Sequence, residues 1–220
     1  MHYTFHWNQA ARAIPEMLGG VIVTLEGAVL SMVLGIGLGL LLALARNSRN
    51  KIIFGVSTAW VELARNTPAL YQIYVAYFGL ATLGIHLDSF PALVAGISFS
   101  NAGYLAETFR GGLRAVPSTQ TRAARSLGMT APTAFTFVVL PQLMRHVFYP
   151  VTNQMVWSVL LTSLGVVVGL STDLMGITQQ LSVISFRTFE YFIIAAVLYY
   201  AIVKVLMIMA ALLARRLFVW

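Results

Sequence analysis

The chain has 220 residues, of which 59% are hydrophobic and only 10% are charged. Soluble domains average about 45–50% apolar and about 25% charged residues, so this composition predicts an integral membrane protein. The formal charge of +7 does not indicate nucleic-acid binding, because the basic residues lie at the ends of apolar runs and not among aromatics. The absence of cysteine excludes disulfides, thiol catalysis and thiolate metal sites.

The amino-terminal residues 1–18 precede the first long apolar run. They lack the basic start, short apolar core and small-residue cleavage site of a removable signal peptide, so we expect none here. Residues 10–17 are expected to form a short helix at the membrane interface. The first span is predicted over residues 19–45, where Ser31 and Gly35 form a pair of small residues that permits close helix contact.

The second span is predicted to follow the tetrapeptide "RNTP" at residues 65–68 and to run to about residue 87. Asn66 or Thr67 can cap this helix, and Pro68 suits its first turn. Residues 52–64, which carry Glu62, could extend the span or lie along the membrane surface. A third span is predicted from Pro91 to about residue 112.

A polar segment with turn residues separates the third span from the fourth. Pro117 should end the third helix, Ser118 or Thr119 can cap a short new one, and Gly128 is the residue type that ends a helix in the left-handed conformation. Thr130 can cap the next helix, with Pro132 in its first turn, and Pro141 is expected to interrupt the apolar run that follows.

The fourth and fifth spans are predicted over residues 148–170 and 191–213. With five spans, most basic residues fall on one side, namely Arg46, Arg49, Lys51, Arg114, Arg122, Arg125, Arg215 and Arg216. The positive-inside rule then places the carboxyl terminus in the cytoplasm and the amino terminus outside.

The polar segment carries a recognisable pattern, "AA…G…LP", formed by Ala123, Ala124, Gly128, Leu140 and Pro141. It resembles the EAA loop of ATP-binding-cassette (ABC) importer permeases. Longer stretches are similar to the polar amino-acid branch of that family, which includes histidine, glutamine and glutamate permeases: "TLEGAVLSMVLGIGLGLLLALAR", "RNTPALYQIYVAYFGL", "NAGYLAETFRGGLRAVPSTQ", "SLGMT", "VVLPQLMR" and "TSL". The resemblance covers about residues 18–215.

This resemblance implies an all-α integral membrane protein of about five transmembrane helices, with the type I ABC importer (MetI-like) permease fold. Residues 1–18 would be periplasmic, residues 19–215 the permease domain with a cytoplasmic coupling loop over 115–142, and residues 216–220 a cytoplasmic end. The implied location is the bacterial inner membrane. The residues expected to couple to an ATPase are Thr119, Arg122, Ala123, Ala124, Arg125, Leu127 and Gly128.

The implied function is the permease subunit of an ATP-driven importer of polar amino acids. The expected partners are ABC ATPase subunits, a second identical or paralogous permease, an external solute-binding protein, the bilayer and the amino acid, with no nucleic acid. ATP and Mg²⁺ would bind the ATPase, so this chain would carry no cofactor and would not be an enzyme. The sequence has no G-x-x-x-x-G-K-[ST] phosphate loop.

Two positions depart from the family pattern. Arg122 stands where the family has Glu, which indicates an acidic counterpart on the ATPase or an unconstrained exposed position. Leu160 and Leu161 stand where the family often has Lys-Asp, so site residues of the fourth span cannot be transferred directly.

Polar residues within the spans are candidates for the substrate path, because an amino acid needs several donors and acceptors in a mostly apolar wall. The candidates are Gln72, Asn101, Tyr104, Glu107, Asn153, Gln154, Trp157 and Ser158. Hydrogen bonding between helices is the commoner role for any one of them. Glu107 can also pair with Arg110 one turn away, and Asp173 is expected in a solvated loop.

Two other functions fit this sequence less well. An ATP-independent channel or proton-coupled secondary transporter would need its own gating charge or inverted repeats, and no convincing repeat is visible. A membrane-embedded enzyme would need clustered His, Asp or Glu, but the seven carboxylate residues are dispersed.

Overall fold

The computed structural model describes residues 3–218, which are helical with no β-strand in that range. The α-helices are α1 (Trp7–Arg12), α2 (Ile14–Ala45), α3 (Lys51–Asn66), α4 (Ala69–Tyr74), α5 (Leu80–Thr82), α6 (Ser89–Ala115), α7 (Ser118–Ser126), α8 (Ala131–Ala134), α9 (Leu140–Leu161), α10 (Leu174–Ser185) and α11 (Thr188–Leu217). π-Helical turns cover Val75–Gly79 and Phe135–Val139, and a 3₁₀ helix covers Thr162–Val168. The predicted all-α class is confirmed; the outermost residues of the 1–18 and 216–220 segments lie outside the described residues.

Three helical stretches of the described chain are long and apolar enough to cross a membrane, namely Ile14–Ala45, Ala131–Val168 and Thr188–Leu217. They contain the predicted first and fifth spans and all but the last two residues of the fourth, which was predicted to end at residue 170. The helix of the fourth begins at Ala131 and not near residue 148. Pro141 does not interrupt it. Pro141 lies in the first turn of α9, directly after the π-helical turn Phe135–Val139, where the irregular hydrogen-bond pattern tolerates a residue without an amide hydrogen.

Helix α3 begins at Lys51. Asn50 caps α3, its side chain accepting hydrogen bonds from the amides of Ile52 (2.9 Å) and Ile53 (3.4 Å). The predicted caps at Asn66 and Thr67 are wrong, because these residues end α3 and Pro68 precedes α4 without a side-chain cap.

Helices α3 and α4 both pack against α6. Trp60 stacks on Phe99, with ring centroids 4.9 Å apart. A Cβ placed on Gly103 would lie 2.5 Å from the Cβ of Ala64, and one on Gly96 would lie 2.7 Å from the Cα of Ile73. Residues 52–64 thus belong to a helix that packs on α6, and the choice between an extension of the second span and a surface position stays a prediction.

The centre of the protein is the contact between α2 and α6. Gly35 faces Asn101, where a Cβ would lie 2.4 Å from the Asn101 Cβ, and Gly39 faces Leu105 at 2.9 Å. These close approaches let the two backbones pack tightly, as small residues do between membrane helices. Beside this contact lies a buried cluster made of Met32, Ala43, Leu105, Phe109, Val116, Val139, Leu143 and Val147.

The amino-terminal segment is tied to the start of α11. The Tyr3 hydroxyl donates a hydrogen bond to Glu190, and the His6 amide donates to Glu190 Oε1 at 3.0 Å. The bond to Glu190 raises the pKa of the Tyr3 phenol above its usual value. Instead of one helix over residues 10–17, this end has α1 and the first turns of α2, with Ala13 between them.

The expectation of a solvated Asp173 is wrong, because this residue is fully buried. Its carboxylate caps α10, accepting hydrogen bonds from the amides of Gly176 (3.0 Å) and Met175 (3.3 Å). Gly20 lets α2 approach this cap, and Thr24 Oγ1 accepts a hydrogen bond from the Leu174 amide at 3.2 Å.

Candidate functional site

A polar cavity of about 450 Å³ lies between the α3–α4 junction, α6 and α9. Its lining residues are Thr67, Pro68, Ala69, Ser100, Tyr104, Asn153, Gln154, Trp157 and Leu161. The structure thus brings together four of the eight predicted path residues, Tyr104, Asn153, Gln154 and Trp157. Amide, hydroxyl and indole groups line it together with apolar carbons, and none of the nine lining residues is charged.

Two further candidates, Asn101 and Ser158, do not line the cavity but form hydrogen bonds with the helices of its wall. Asn101 and Ser158 are fully buried. The Asn101 side-chain amide donates to Ser158 Oγ at 2.9 Å and to the Ser31 carbonyl at 3.3 Å, while Asn101 Oδ1 accepts from Gln154 Nε2 at 2.8 Å. Because these bonds join α2, α6 and α9, Asn101 fixes the orientation of the Gln154 amide in the cavity wall.

Gln72 lies at the junction of α3 and α4 and not in the cavity. Its Nε2 donates to the carbonyls of Ala64 (2.9 Å) and Thr67 (3.1 Å), which the break at Pro68 leaves without helical partners. It therefore stabilises the irregular backbone of the cavity wall. Gln72 Oε1 is buried without a hydrogen bond.

Glu107 lies at the centre of an ion-pair cluster. It pairs with Arg46 of α2 and Arg110 of α6, and Arg65 Nη1 of α3 lies 3.9 Å from its Oε2. The predicted Glu107–Arg110 pair is therefore formed. Arg65 also lies over the ring of Tyr104, 5.8 Å from its centroid, which connects the cluster to the cavity.

The sequence reasoning missed five lining residues, Thr67, Pro68, Ala69, Ser100 and Leu161. The first three belong to the helix break at "RNTP". A proline between two apolar helical stretches was the signal that could have indicated them, because a broken helix in a membrane is tolerated where it lines a cavity.

The short helix α7 ends in a Schellman motif. The Met129 amide donates to the Ala124 carbonyl (3.2 Å), the Gly128 amide donates to the Arg125 carbonyl (3.1 Å), and Gly128 has φ +86°. The predicted glycine C-cap is confirmed. The predicted cap at Ser118 or Thr119 is wrong, because Pro117 precedes α7 in extended conformation and both hydroxyl residues already lie in its first turn.

Most coupling candidates of α7 are accessible. Ala124 is buried where α7 packs on α8 and the following π-helical turn, whereas Leu127 is 82% exposed. Thr119, Arg122, Ala123, Arg125 and Gly128 are also exposed. Arg125 donates to the Met129 carbonyl at 2.8 Å, and Arg122 is 3.5 Å from Ser118 Oγ. Helix α7 therefore presents an apolar tip beside two cationic side chains.

The Thr130 cap, in contrast, is confirmed. Thr130 Oγ1 accepts a hydrogen bond from the Thr133 amide at 3.3 Å, and Pro132 lies in the first turn of α8. As a result α7 is followed closely by the helical stretch that leads to the cavity.

Helical membrane spans, a polar cavity between them and an exposed short helix outside them define the class of polytopic transport proteins. Residues 35–219 match the family described as the binding-protein-dependent transport system inner membrane component. The chain belongs to this family.

Similar proteins agree with this assignment. The chain is 31% identical over 214 residues to the glutamine transport system permease protein GlnP of Escherichia coli K12, covering 96% of this chain and 97% of GlnP. A solved amino acid ABC transporter with histidines superposes with a TM-score of 0.90 at 30% identity, covering 97% of this chain and all of that one. The inward-facing MetNI methionine ABC transporter shares the fold, with a TM-score of 0.76 at 19% identity, covering 94% and 98% of the two chains.

Proposed function

We propose that this chain is the membrane-spanning subunit of an ATP-driven importer of polar amino acids, and that α7 is its contact with the ATPase. The observation that carries the proposal is the exposed apolar tip at Leu127, held rigid by the Schellman motif and joined directly to the helical stretch that lines the polar cavity. An isolated helix as short as α7 is marginal in water, so a partner groove would stabilise it.

The cavity suits an amino acid as the transported solute. Amides of Asn153 and Gln154 and the hydroxyl of Tyr104 provide donors and acceptors for an ammonium and a carboxylate group. The absence of a charged side chain among its nine lining residues favours an uncharged substrate side chain, because an isolated charge would lack a counter-ion there. This choice fits GlnP, named as a glutamine permease.

The charge distribution supports a cytoplasmic α7, an outer amino terminus and a bacterial inner-membrane location. In the proposed cycle a second permease subunit, identical or paralogous, completes the path, and an external binding protein delivers the solute. The ATPase binds ATP and Mg²⁺. Its closure would shift α7 together with the helices attached to it, which changes the side from which the cavity is accessible.

The test is co-purification of the tagged chain with its ATPase, combined with uptake into proteoliposomes. We expect Leu127→Asp to reduce ATPase retention by about tenfold, as hot-spot residues at interfaces do. Leu83→Asp is the matched control, because Leu83 is 76% exposed beside α5, far from α7 in the chain, and should retain the ATPase.

Two results would overturn the proposal. One is a wild-type chain that never retains an ATPase in detergent. The other is uptake that continues without ATP but follows an imposed proton gradient, which would support the secondary-transporter alternative.

A further inference from the structure

A second cavity, of about 690 Å³, opens between α2, α9 and α11. Met32 of α2, Phe148 and Met155 of α9 and Leu213 of α11 are among its apolar lining residues, and Arg216 lies at the end of α11. We call it the α11 groove. Its shape and lining, an apolar slot between membrane-crossing helices with one cation at the end, match an acyl chain attached to an anionic group.

The α11 groove lies on the opposite side of α9 from the polar cavity. Phe148, Thr152 and Met155 are four and three residues apart and share the groove face, whereas Asn153 and Trp157 line the polar cavity. At 3.6 residues per turn these two sets point away from each other. If the second permease subunit completes the path at the polar cavity, as proposed above, the α11 groove faces the bilayer.

No acidic side chain within residues 3–218 pairs with the cation at the groove end. Within residues 3–218, Arg216 forms no ion pair, and the sequence has no Asp or Glu from residue 108 to 172 or after Glu190. The ring of Phe148 contacts Phe218 with centroids 5.4 Å apart, which places an aromatic pair beside the cation. An anion at the groove end can therefore meet Arg216 without competition from an Asp or Glu side chain of the adjoining parts of α9 and α11.

We propose that the α11 groove binds a phospholipid with an anionic headgroup, one acyl chain lying between the three helices and the phosphate meeting Arg216. An arginine near the end of a membrane helix places its charge at the headgroup level, where a basic residue attracts anionic lipid. The choice of lipid over a second copy of the chain rests on the proposed function. The apolar lining of the groove and the cation at its end do not depend on that proposed function.

The experiment is native mass spectrometry of the full-length chain in detergent, titrated with palmitoyl-oleoyl phosphatidylglycerol or with the matching phosphatidylcholine. The wild type should retain phosphatidylglycerol in preference to phosphatidylcholine. Arg216→Gln should weaken phosphatidylglycerol retention about fivefold, the effect of one basic residue at a membrane surface. Arg216→Lys, which keeps the positive charge, should retain most of the phosphatidylglycerol that the wild type binds. If the arginine instead served only to pack the end of α11 through its guanidinium shape, lysine would not replace it.

Arg215→Gln is the matched control, because Arg215 is adjacent and exposed but does not line the groove. We expect this variant to lose less phosphatidylglycerol than Arg216→Gln, because the Arg215 side chain does not line the groove. Ala210→Trp, which fills the groove, should abolish retention of both lipids. Equal effects of the two glutamine variants, or equal retention of both lipids by the wild type, would overturn the proposal. Cysteine cross-linking that joins the groove of one chain to a second copy would also overturn it. None of these results bears on ATPase co-purification, which tests the proposed function separately.

Discussion

Gly128 has the backbone conformation that the end of α7 requires. At φ +86° a residue with a Cβ is strained, although a Cβ here would meet no atom within 4 Å. The strain therefore comes from the backbone and not from crowding. The left-handed conformation costs an L-residue about 1–2 kcal/mol, and asparagine tolerates it better than alanine.

We expect Gly128→Ala to loosen the Schellman motif and Gly128→Asn to retain most of it. Hydrogen exchange of the Met129 amide, which donates to Ala124, measures this directly. In the alanine variant the exchange should be about 5–30 times faster, the equivalent of one or two kcal/mol. An unchanged exchange rate would mean that the motif does not hold the end of α7.

Among the helices, the pairing of α2 with α6 depends on which glycine faces the neighbour. Gly35 faces Asn101, whereas a Cβ on Gly37 would meet nothing within 4 Å. The sequence shows a row of glycines in this span but does not distinguish the two positions. Only the rotation of α2 about its axis, which the packing sets, tells them apart.

Gly35→Ala should destabilise the protein by about 1–3 kcal/mol, because its methyl group would overlap Asn101 in a packed interface. Gly37→Ala should be neutral or should stabilise by about 0.5–1 kcal/mol, since it only removes the flexibility of glycine from a helix. Thermal unfolding of the two variants in detergent provides the comparison. Similar midpoints for both variants would contradict the packing described here.

The elements that the sequence predicted best are those with local signals. Gly128 and Thr130 are such cases, since turn and cap chemistry depends on a few adjacent residues. The role of residues 52–64 was left open because Glu62 and Arg65 make this helix polar enough to resemble a surface segment. Asp173 was misplaced because its burial depends on Gly20, which is distant in the chain, and the same limit applied to the contacts of Asn101.

On the scale of the protein, one carboxylate connects α2, α3 and α6. Glu107 of α6 contacts Arg46 of α2, Arg110 of its own helix and, more loosely, Arg65 of α3. Its side chain is 19% exposed, so the cluster is only partly screened by solvent. Its role as a contact for substrate stays a prediction.

Glu107→Gln should lower the free energy of unfolding by about 1–3 kcal/mol, because it leaves neighbouring guanidinium groups without their anion. Glu62→Gln is the control. Glu62 is an exposed residue that accepts a hydrogen bond from Asn66 and should tolerate the change. Thermal unfolding in detergent tests the pair, and a wild-type midpoint for Glu107→Gln would show that the cluster contributes little.

The helical stretch Ala131–Val168 runs without a loop from its contact with α7 to the wall of the polar cavity. A continuous helix is stiff along its axis, so displacement of one end is transmitted to the other end. This helical stretch can bend at two places, the π-helical turn Phe135–Val139 and Pro150 within α9. If α7 contacts an ATPase, as proposed above, movement of that subunit should tilt this helical stretch at the cavity wall, with bending concentrated at those two points.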